Sequence, residues 1–475
     1  MKREVKFKNL LAYGIGDLYG GGSFFIISTL FLFFLTEVAG LHPVQAGIII
    51  FVGKIWDAIS DPLMGYISDH MVSRWGRRRL FFLIGMAPVG ISFALLWLPL
   101  QLPGNLSFIW YLFAYVFFST VFTMMMVPYS ALSAEMTTDY KARNRLSGAR
   151  MIFSQISALI AGVVPKLIID SFPAGQGYIV MGTVFGLFYA LPWLFVYRGT
   201  WELPYQTPEK ESFAVFYRRF LSILGNRSFR IHIGMYICSY SAMDILMALF
   251  IYYLSCYLNL DHLYSAFLGA LVLTQILCLP LYVKICNRIG QARAYMIGLG
   301  LWGAGMLALF TITPDTSAAM IFPIIILTGA GLSAGVMVPW AMLPPVTDVD
   351  ELITTQRRAG IYSGMMTLIR KSVQGVILFA VGISLSRIGF VSGASSQTAE
   401  TVKSLRLLFV FAPLVFLVLG QILAWRFKVT PHTHKVMLEE IARLKGGGDR
   451  AAVKPETKEI CEEITGQKYE NLYRA

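Results

Sequence analysis

The chain has 475 residues, is 56% hydrophobic and 14% aromatic, and has a mean hydropathy of +0.62. This is far above a soluble globular domain of the same length, so the reading is an integral membrane protein. The formal charge of +13 raises nucleic acid as a partner, but the placement of the basic residues argues against it.

Apolar runs of roughly 20 residues, enough to cross ~30 Å of hydrocarbon, recur along most of the chain. In chain order the expected spans are about 10–36, 43–67, 80–101, 107–133, 150–171, 178–198, 231–257, 263–286, 295–312, 320–345, 361–386 and 405–427. That makes about twelve helices. The first run is too long for a cleavable signal peptide, contains Asp17 and lacks a small-residue cleavage site, so it is expected to stay as the first helix.

Basic residues gather in every second loop. Lys2, Arg3, Lys6 and Lys8 precede helix one; Arg74, Arg77, Arg78 and Arg79 separate helices two and three; Lys141, Arg143 and Arg145 separate four and five. Later clusters are Arg218, Arg219, Arg227 and Arg230, then Arg288 and Arg293, then Arg357 and Arg358, while loops such as QLPGNLS at 101–107 hold no Lys or Arg. This positive-inside pattern puts both termini in the cytoplasm. The cysteines at 238, 256, 278, 286 and 461 have neither metal-ligand spacing nor a paired extracellular framework, and read as packing residues.

An internal repeat organises the chain. VPYSALSAEMTTD at 127–139 aligns without gaps on VPWAMLPPVTDVD at 338–350, and PLMGYISDHMVSRWGRR from Pro62 resembles PLYVKICNRIGQAR from Pro280. The expectation is an all-α membrane protein of two pseudo-symmetric six-helix bundles related by an axis along the membrane normal. Its divisions are an N-terminal bundle at 1–198, a cytoplasmic connector at 199–230, a C-terminal bundle at 231–428 and a solvated cytoplasmic tail at 429–475.

Charges inside the spans mark candidate functional groups, because a carboxylate at the bilayer centre costs several kcal/mol and persists where it faces protein, water or an ion. Asp57 and Asp61 are four residues apart and share a helix face, with Lys54 near the same face. The pair suits a hard monovalent cation or a shared proton; the other reading is a structural network with Lys54. Asp17 follows a glycine-rich face, GIGDLYGGG, which permits close helix approach. Asp244 is read equally as a structural partner or a substrate contact. Arg370 and Lys371 point about 100° apart, so one of them faces a cavity. Lys166 lies near a helix end and can snorkel. In the loop after helix two, Asp69 and the run RWGRRR either latch one conformation or only anchor the chain.

That loop resembles the G-x-x-x-D-x-x-x-R-x-G-R-R signature of the major facilitator superfamily, matched here by Gly65, Asp69, Arg74, Gly76, Arg77 and Arg78 with additional residues after the aspartate. KIWDAISDPLMGYI is similar, more specifically, to the second helix of the glycoside/pentoside/hexuronide:cation symporters. The resemblance implies that Asp57 and Asp61 are cation-site acids, that Thr123 is a helix-four cation ligand, and that Ser60 stands where an asparagine of that site occurs. It implies a sugar site of Asp17, Arg150, Trp340 and Lys371, with a conformational latch at Asp69, Arg74, Gly76, Arg77 and Arg78. The sequence departs from the family in helix four, where a sugar-binding aspartate and a nearby tryptophan are replaced by Met126 and Ser130. Tyr129 and Trp340 remain as stacking surfaces for a sugar ring.

The functional expectation is a symporter of the bacterial cytoplasmic membrane, importing a glycoside, pentoside or hexuronide with Na⁺ or H⁺, Li⁺ being a further fit for the cation site. It needs no cofactor, no nucleic acid and no obligate protein partner; its partners are the sugar and the bilayer. An importer of lysolipid-like amphiphiles is the alternative, suggested by the Met124 to Met126 run, and a transport-inactive sensor is a further one. No nucleophile/base constellation or nucleotide loop points to an enzyme, and His232 alone reads as structural.

Overall fold

The computed structural model describes residues 4–137, 139–173, 175–203, 222–394 and 396–473. Lys2, Arg3, Arg218, Arg219 and most of the expected connector lie outside them. Every regular element among the described residues is helical. Among the described residues eleven helices are long and apolar enough to cross a membrane. We label the membrane helices α1 (Phe7–Phe31), α2 (Pro43–His70), α3 (Arg79–Ile84 with Met86–Leu96), α4 (Leu106–Met136), α5 (Tyr140–Asp170) and α6 (Gln176–Gly199). The remainder are α7 (Arg227–Leu258), α8 (Tyr264–Ile289), α9 (Gln291–Thr311), α10 (Ala318–Thr354), α11 (Ala359–Arg387) and α12 (Ala399–Arg426).

The third expected span, α3, is interrupted at Gly85 and is therefore not one of the eleven long helices. A Cβ at Gly85 would stand 2.8 Å from the Phe81 carbonyl oxygen and 2.9 Å from Met124 Cε.

The chain forms two compact units. One comprises Met1–Pro208, Asp244–Val272 and Gln374–Phe409; the other comprises Glu209–Met243, Leu273–Val373 and Val410–Ala475. In the first unit, small residues let α1 lie flush on α5. A Cβ at Gly14 would meet the Ala149 carbonyl oxygen at 3.0 Å, and one at Gly21 would meet the backbone of Ser154 at 2.8 and 2.9 Å. Dispersion and backbone proximity, rather than hydrophobic expulsion, drive such contacts in lipid. On α2, a Cβ at Gly53 would collide with the Tyr115 ring of α4, and Trp56 donates its indole N–H to Thr120 at 2.8 Å. The same unit joins the ends of α1 and α2 to the later segments: Thr36 and Tyr252 hydroxyls are 2.6 Å apart, Ser392 donates to the Leu41 carbonyl at 2.8 Å, and Phe51 stacks on Phe379.

In the second unit, α9 and α10 pack through Gly298, Gly305 and Gly331; a Cβ at Gly331 would stand 2.6 Å from the Gly298 carbonyl oxygen. The tail is docked, which corrects the expectation of a solvated one. Helices α13 (Pro431–Lys445) and α14 (Pro455–Thr465) bury Met437, Ile441, Leu444, Cys461 and Ile464. Ser228 donates to the Ile464 carbonyl at 2.5 Å, and the Tyr473 N–H donates to the Leu352 carbonyl at 2.8 Å. Glu440 is almost fully enclosed in this docked segment, and the two hydrogen bonds from Arg443, at 2.7 and 2.9 Å, hold its carboxyl below the usual glutamate range.

Replacing Gly21 with leucine drives a side chain into fixed Ser154 backbone. The expected cost is about 1–3 kcal/mol of overpacking, read as earlier thermal unfolding of the detergent-solubilised protein. Unchanged unfolding would contradict the flush α1–α5 contact.

Candidate cation and substrate site

Helix α2 carries the charges that apolar surroundings make conspicuous. Asp57 is fully buried and Lys54 is 3% exposed, with the Lys54 ammonium 3.6 Å from the Asp57 carboxylate. That ammonium also lies 3.7 Å from the centroid of the Phe24 ring on α1, a cation–π contact that partly replaces its hydration. One turn further, Thr123 of α4 donates to Asp61 Oδ1 at 2.7 Å, and Ser60 donates to Thr123 Oγ1 at 3.3 Å. The structure thus joins Ser60, Asp61 and Thr123 by hydrogen bonds along the α2–α4 seam, one turn from the Lys54–Asp57 pair. Among the described residues no group of three or more His, Cys, Asp and Glu could hold a metal ion.

The α1–α5 contact positions a second pair. Arg150 Nε donates to Asp17 Oδ1 at 3.0 Å, and its guanidinium lies 5.1 Å from the Tyr129 ring centroid. Tyr129 is fully buried and stacks on Tyr13, and each tyrosine hydroxyl donates to the other residue's carbonyl, at 2.6 and 3.2 Å. In this arrangement Tyr129 supports Arg150 from beneath rather than presenting an open ring face. Met126 reaches the Asp17 neighbourhood: a Cβ at Gly20 would meet Met126 Cε at 2.5 Å and Asp17 Oδ1 at 2.6 Å.

Asp244, on α7, is also buried, and accepts from Gln374 of α11 at 3.1 Å. The next residue, Gly375, packs against the stem of Lys54; a Cβ there would stand 2.8 Å from Lys54 Cβ. Gln374 escaped the sequence reading. The available signal was an uncharged polar residue inside an apolar helix, which carries no cost as plain as a carboxylate's. Trp340 and Lys371 belong to the second unit. There the Trp340 indole donates to the Tyr240 hydroxyl at 3.0 Å, while Arg370, the neighbour of Lys371, lies over the Tyr240 ring at 4.8 Å. Tyr240 and Tyr236 complete that aromatic group.

The loop after α2 is a clasp. Arg78 pairs with Asp69 at 2.5 Å and with Glu135 of α4 at 2.7 Å, and Arg77 pairs with Glu135 and donates to the Asp69 carbonyl at 3.1 Å. Gly76 adopts φ +101°, a left-handed conformation that turns the following amides outward. Three successive N–H groups, of Arg77, Arg78 and Arg79, then donate to the Glu202 carboxylate at 2.8, 2.9 and 2.8 Å. A carboxylate on consecutive amides at a helix start is favoured by their aligned dipoles. Arg74 stands apart, its guanidinium over the Trp75 ring at 4.5 Å. Glu135 and Glu202 were missed by the sequence reading, since both lie at helix ends where acids are ordinary.

Glu202→Ala leaves three amides without their common acceptor. The expected loss is about 1–3 kcal/mol, seen as reduced thermal stability and faster proteolysis after α6, with Glu202→Asp recovering part of it. Proteolysis and stability both equal to those of the unsubstituted protein would exclude the clasp.

Residues 12–431 match the family described as MFS/sugar transport protein. The putative sulfoquinovose importer of Salmonella typhimurium is 26% identical, covering 94% of this chain and 95% of the relative. The sodium-dependent lysophosphatidylcholine symporter 1 of Mus musculus is 23% identical over 90% of this chain and 86% of its own length. Among solved structures, an inward-facing bacterial homologue of the human lysosomal transporter Spinster superposes with a TM-score of 0.67 at 15% identity, over 88% of this chain and 95% of that one. That last likeness shows the fold alone, the major facilitator fold.

Proposed function

The chain belongs to the MFS/sugar transport protein family, and on that premise we propose that it is a symporter importing a glycoside, pentoside or hexuronide by alternating access. It is a multi-pass protein of the inner membrane and not an enzyme. The driving ion is Na⁺ or H⁺. The observation that carries this reading is the placement of Lys54, Asp57 and Asp61 in a helix that must otherwise be apolar. Asp57 and Asp61 hold the cation, Thr123 and Ser60 add hydroxyl oxygens, and Lys54 pairs with Asp57. Occupancy neutralises the group and removes most of the cost of moving it through a low-dielectric interior.

Asp17 and Arg150 form the sugar-binding pair, with Asp accepting from sugar hydroxyls and Arg donating to ring or carboxylate oxygens. Tyr13 and Tyr129 hold the guanidinium in place. Asp244 and Gln374, whose neighbour Gly375 packs on Lys54, connect the cation group to α7 and α11. Trp340 and Lys371 serve the substrate from the second bundle, residues 231–428, which rocks against the first at 1–198. The Asp69, Arg74, Gly76, Arg77 and Arg78 loop latches one conformation.

A second reading has its own support. Met126 stands beside Asp17, and a lysophosphatidylcholine symporter is among the relatives. An apolar contact at that position suits a substrate with a chain or aglycone attached to its polar head.

Counterflow in proteoliposomes tests both readings, with labelled glycosides, pentosides, glucuronides and a lysolipid, each in Na⁺ and in Na⁺-free buffer at two pH values. Linkage requires that the coupling ion raise substrate affinity, typically by about 5–150-fold. In Asp61→Asn that factor is expected to fall to about 1. Accumulation by Asp61→Asn with unchanged cation dependence would reject the cation site, and exchange of the lysolipid alone would select the second reading.

A further inference from the structure

A groove of 550 Å³ opens on the first unit between α1, α5 and α6, away from the charges discussed above. Its walls are Leu11, Ile15, Phe153 and Phe195, and its floor is Ala12 and Gly199. The floor is fixed: Asn9 donates its side-chain amide to the Gly199 carbonyl at 2.8 Å, and a Cβ at Gly199 would collide with Ala12. Lys8 and Arg198 line one end. Both are exposed, and neither has an ion-pair partner among the described residues. The neighbouring basic residues differ, since Arg77 and Arg78 are engaged by Glu135, and Arg79 donates to the Tyr197 carbonyl at 2.6 Å.

The groove has a direction. Lys8 lies at the first turn of α1 and Arg198 at the last turn of α6, at the ends of two apolar spans, whereas Ile15 is seven residues further along α1, about 10 Å at 1.5 Å per residue. Two cations at headgroup depth and an apolar trough running inward match one molecule in shape and charge. Simple topological anchoring by basic residues needs no trough, and a neutral lipid needs no cations.

We propose that this groove is a binding site for an anionic glycerophospholipid, its phosphate between Lys8 and Arg198 and one acyl chain along Leu11, Ile15, Phe153 and Phe195. Basic pockets between membrane helices bind such headgroups, and two basic side chains near a surface favour an anionic over a neutral lipid by roughly 30-fold.

The test uses the full-length protein in maltoside detergent, with lipid retention read by native mass spectrometry. Phosphatidylglycerol and phosphatidylcholine of identical chains are compared, together with glycerol 3-phosphate as a headgroup without chains. The unsubstituted protein should retain phosphatidylglycerol roughly 30-fold more tightly than phosphatidylcholine, and should retain no glycerol 3-phosphate. In Lys8→Gln/Arg198→Gln, phosphatidylglycerol should fall to the phosphatidylcholine level; in Ala12→Trp, which fills the trough, both lipids should be lost. Both cations are solvent-exposed, so the first variant folds. Equal retention of the two lipids, a phosphatidylglycerol preference that survives Lys8→Gln/Arg198→Gln, or retention of glycerol 3-phosphate would each overturn the proposal.

Discussion

The cost of an unneutralised charge in hydrocarbon is the constraint from which the rest of the first unit follows. Lys54 and Asp57 are buried together on α2, so each reduces the other's penalty, and the Phe24 ring receives the ammonium. Asp61 accepts from the Thr123 hydroxyl, a group that can rotate from donor to acceptor.

Glycine sets where these charges stand. Gly53 brings α2 against Tyr115, Gly21 brings α1 against Ser154, and Gly375 brings α11 against Lys54. At Gly21 the contact includes Ser154 backbone, at Gly53 it is with the Tyr115 ring and at Gly375 with the Lys54 stem. The Asp17–Arg150 bond and the Asp61–Thr123 bond therefore join elements whose spacing is already determined. Side-chain chemistry needs only to complete the geometry.

What could be read from the sequence divides along the same line. Spans were legible because hydropathy is local, and Asp57 and Asp61 because a charge in an apolar run is costly wherever its partner lies. The break in α3 at Gly85 was not, since one glycine inside an apolar run leaves its hydropathy almost unchanged. Glu202 binds amides 123 to 125 residues away, and Gln374 meets Asp244 across 130 residues; neither contact leaves a periodic trace. Tyr129 read as a ring open to sugar because aromaticity does not say which faces Tyr13 and Arg150 already occupy. The tail read as solvated, since its contacts with Ser228 of α7 and Leu352 of α10 join residues far apart in the chain.

The Glu202 clasp has an evolutionary consequence. Its three donors are main-chain amides, so they persist through any substitution other than proline at positions 77, 78 and 79. The hereditary information for this joint resides in Gly76, which alone turns the amides into line, and in one acid far downstream. Such a joint tolerates drift among the arginines that make the loop recognisable, and breaks through two positions that do not. A lineage could erode the visible motif and keep the hinge.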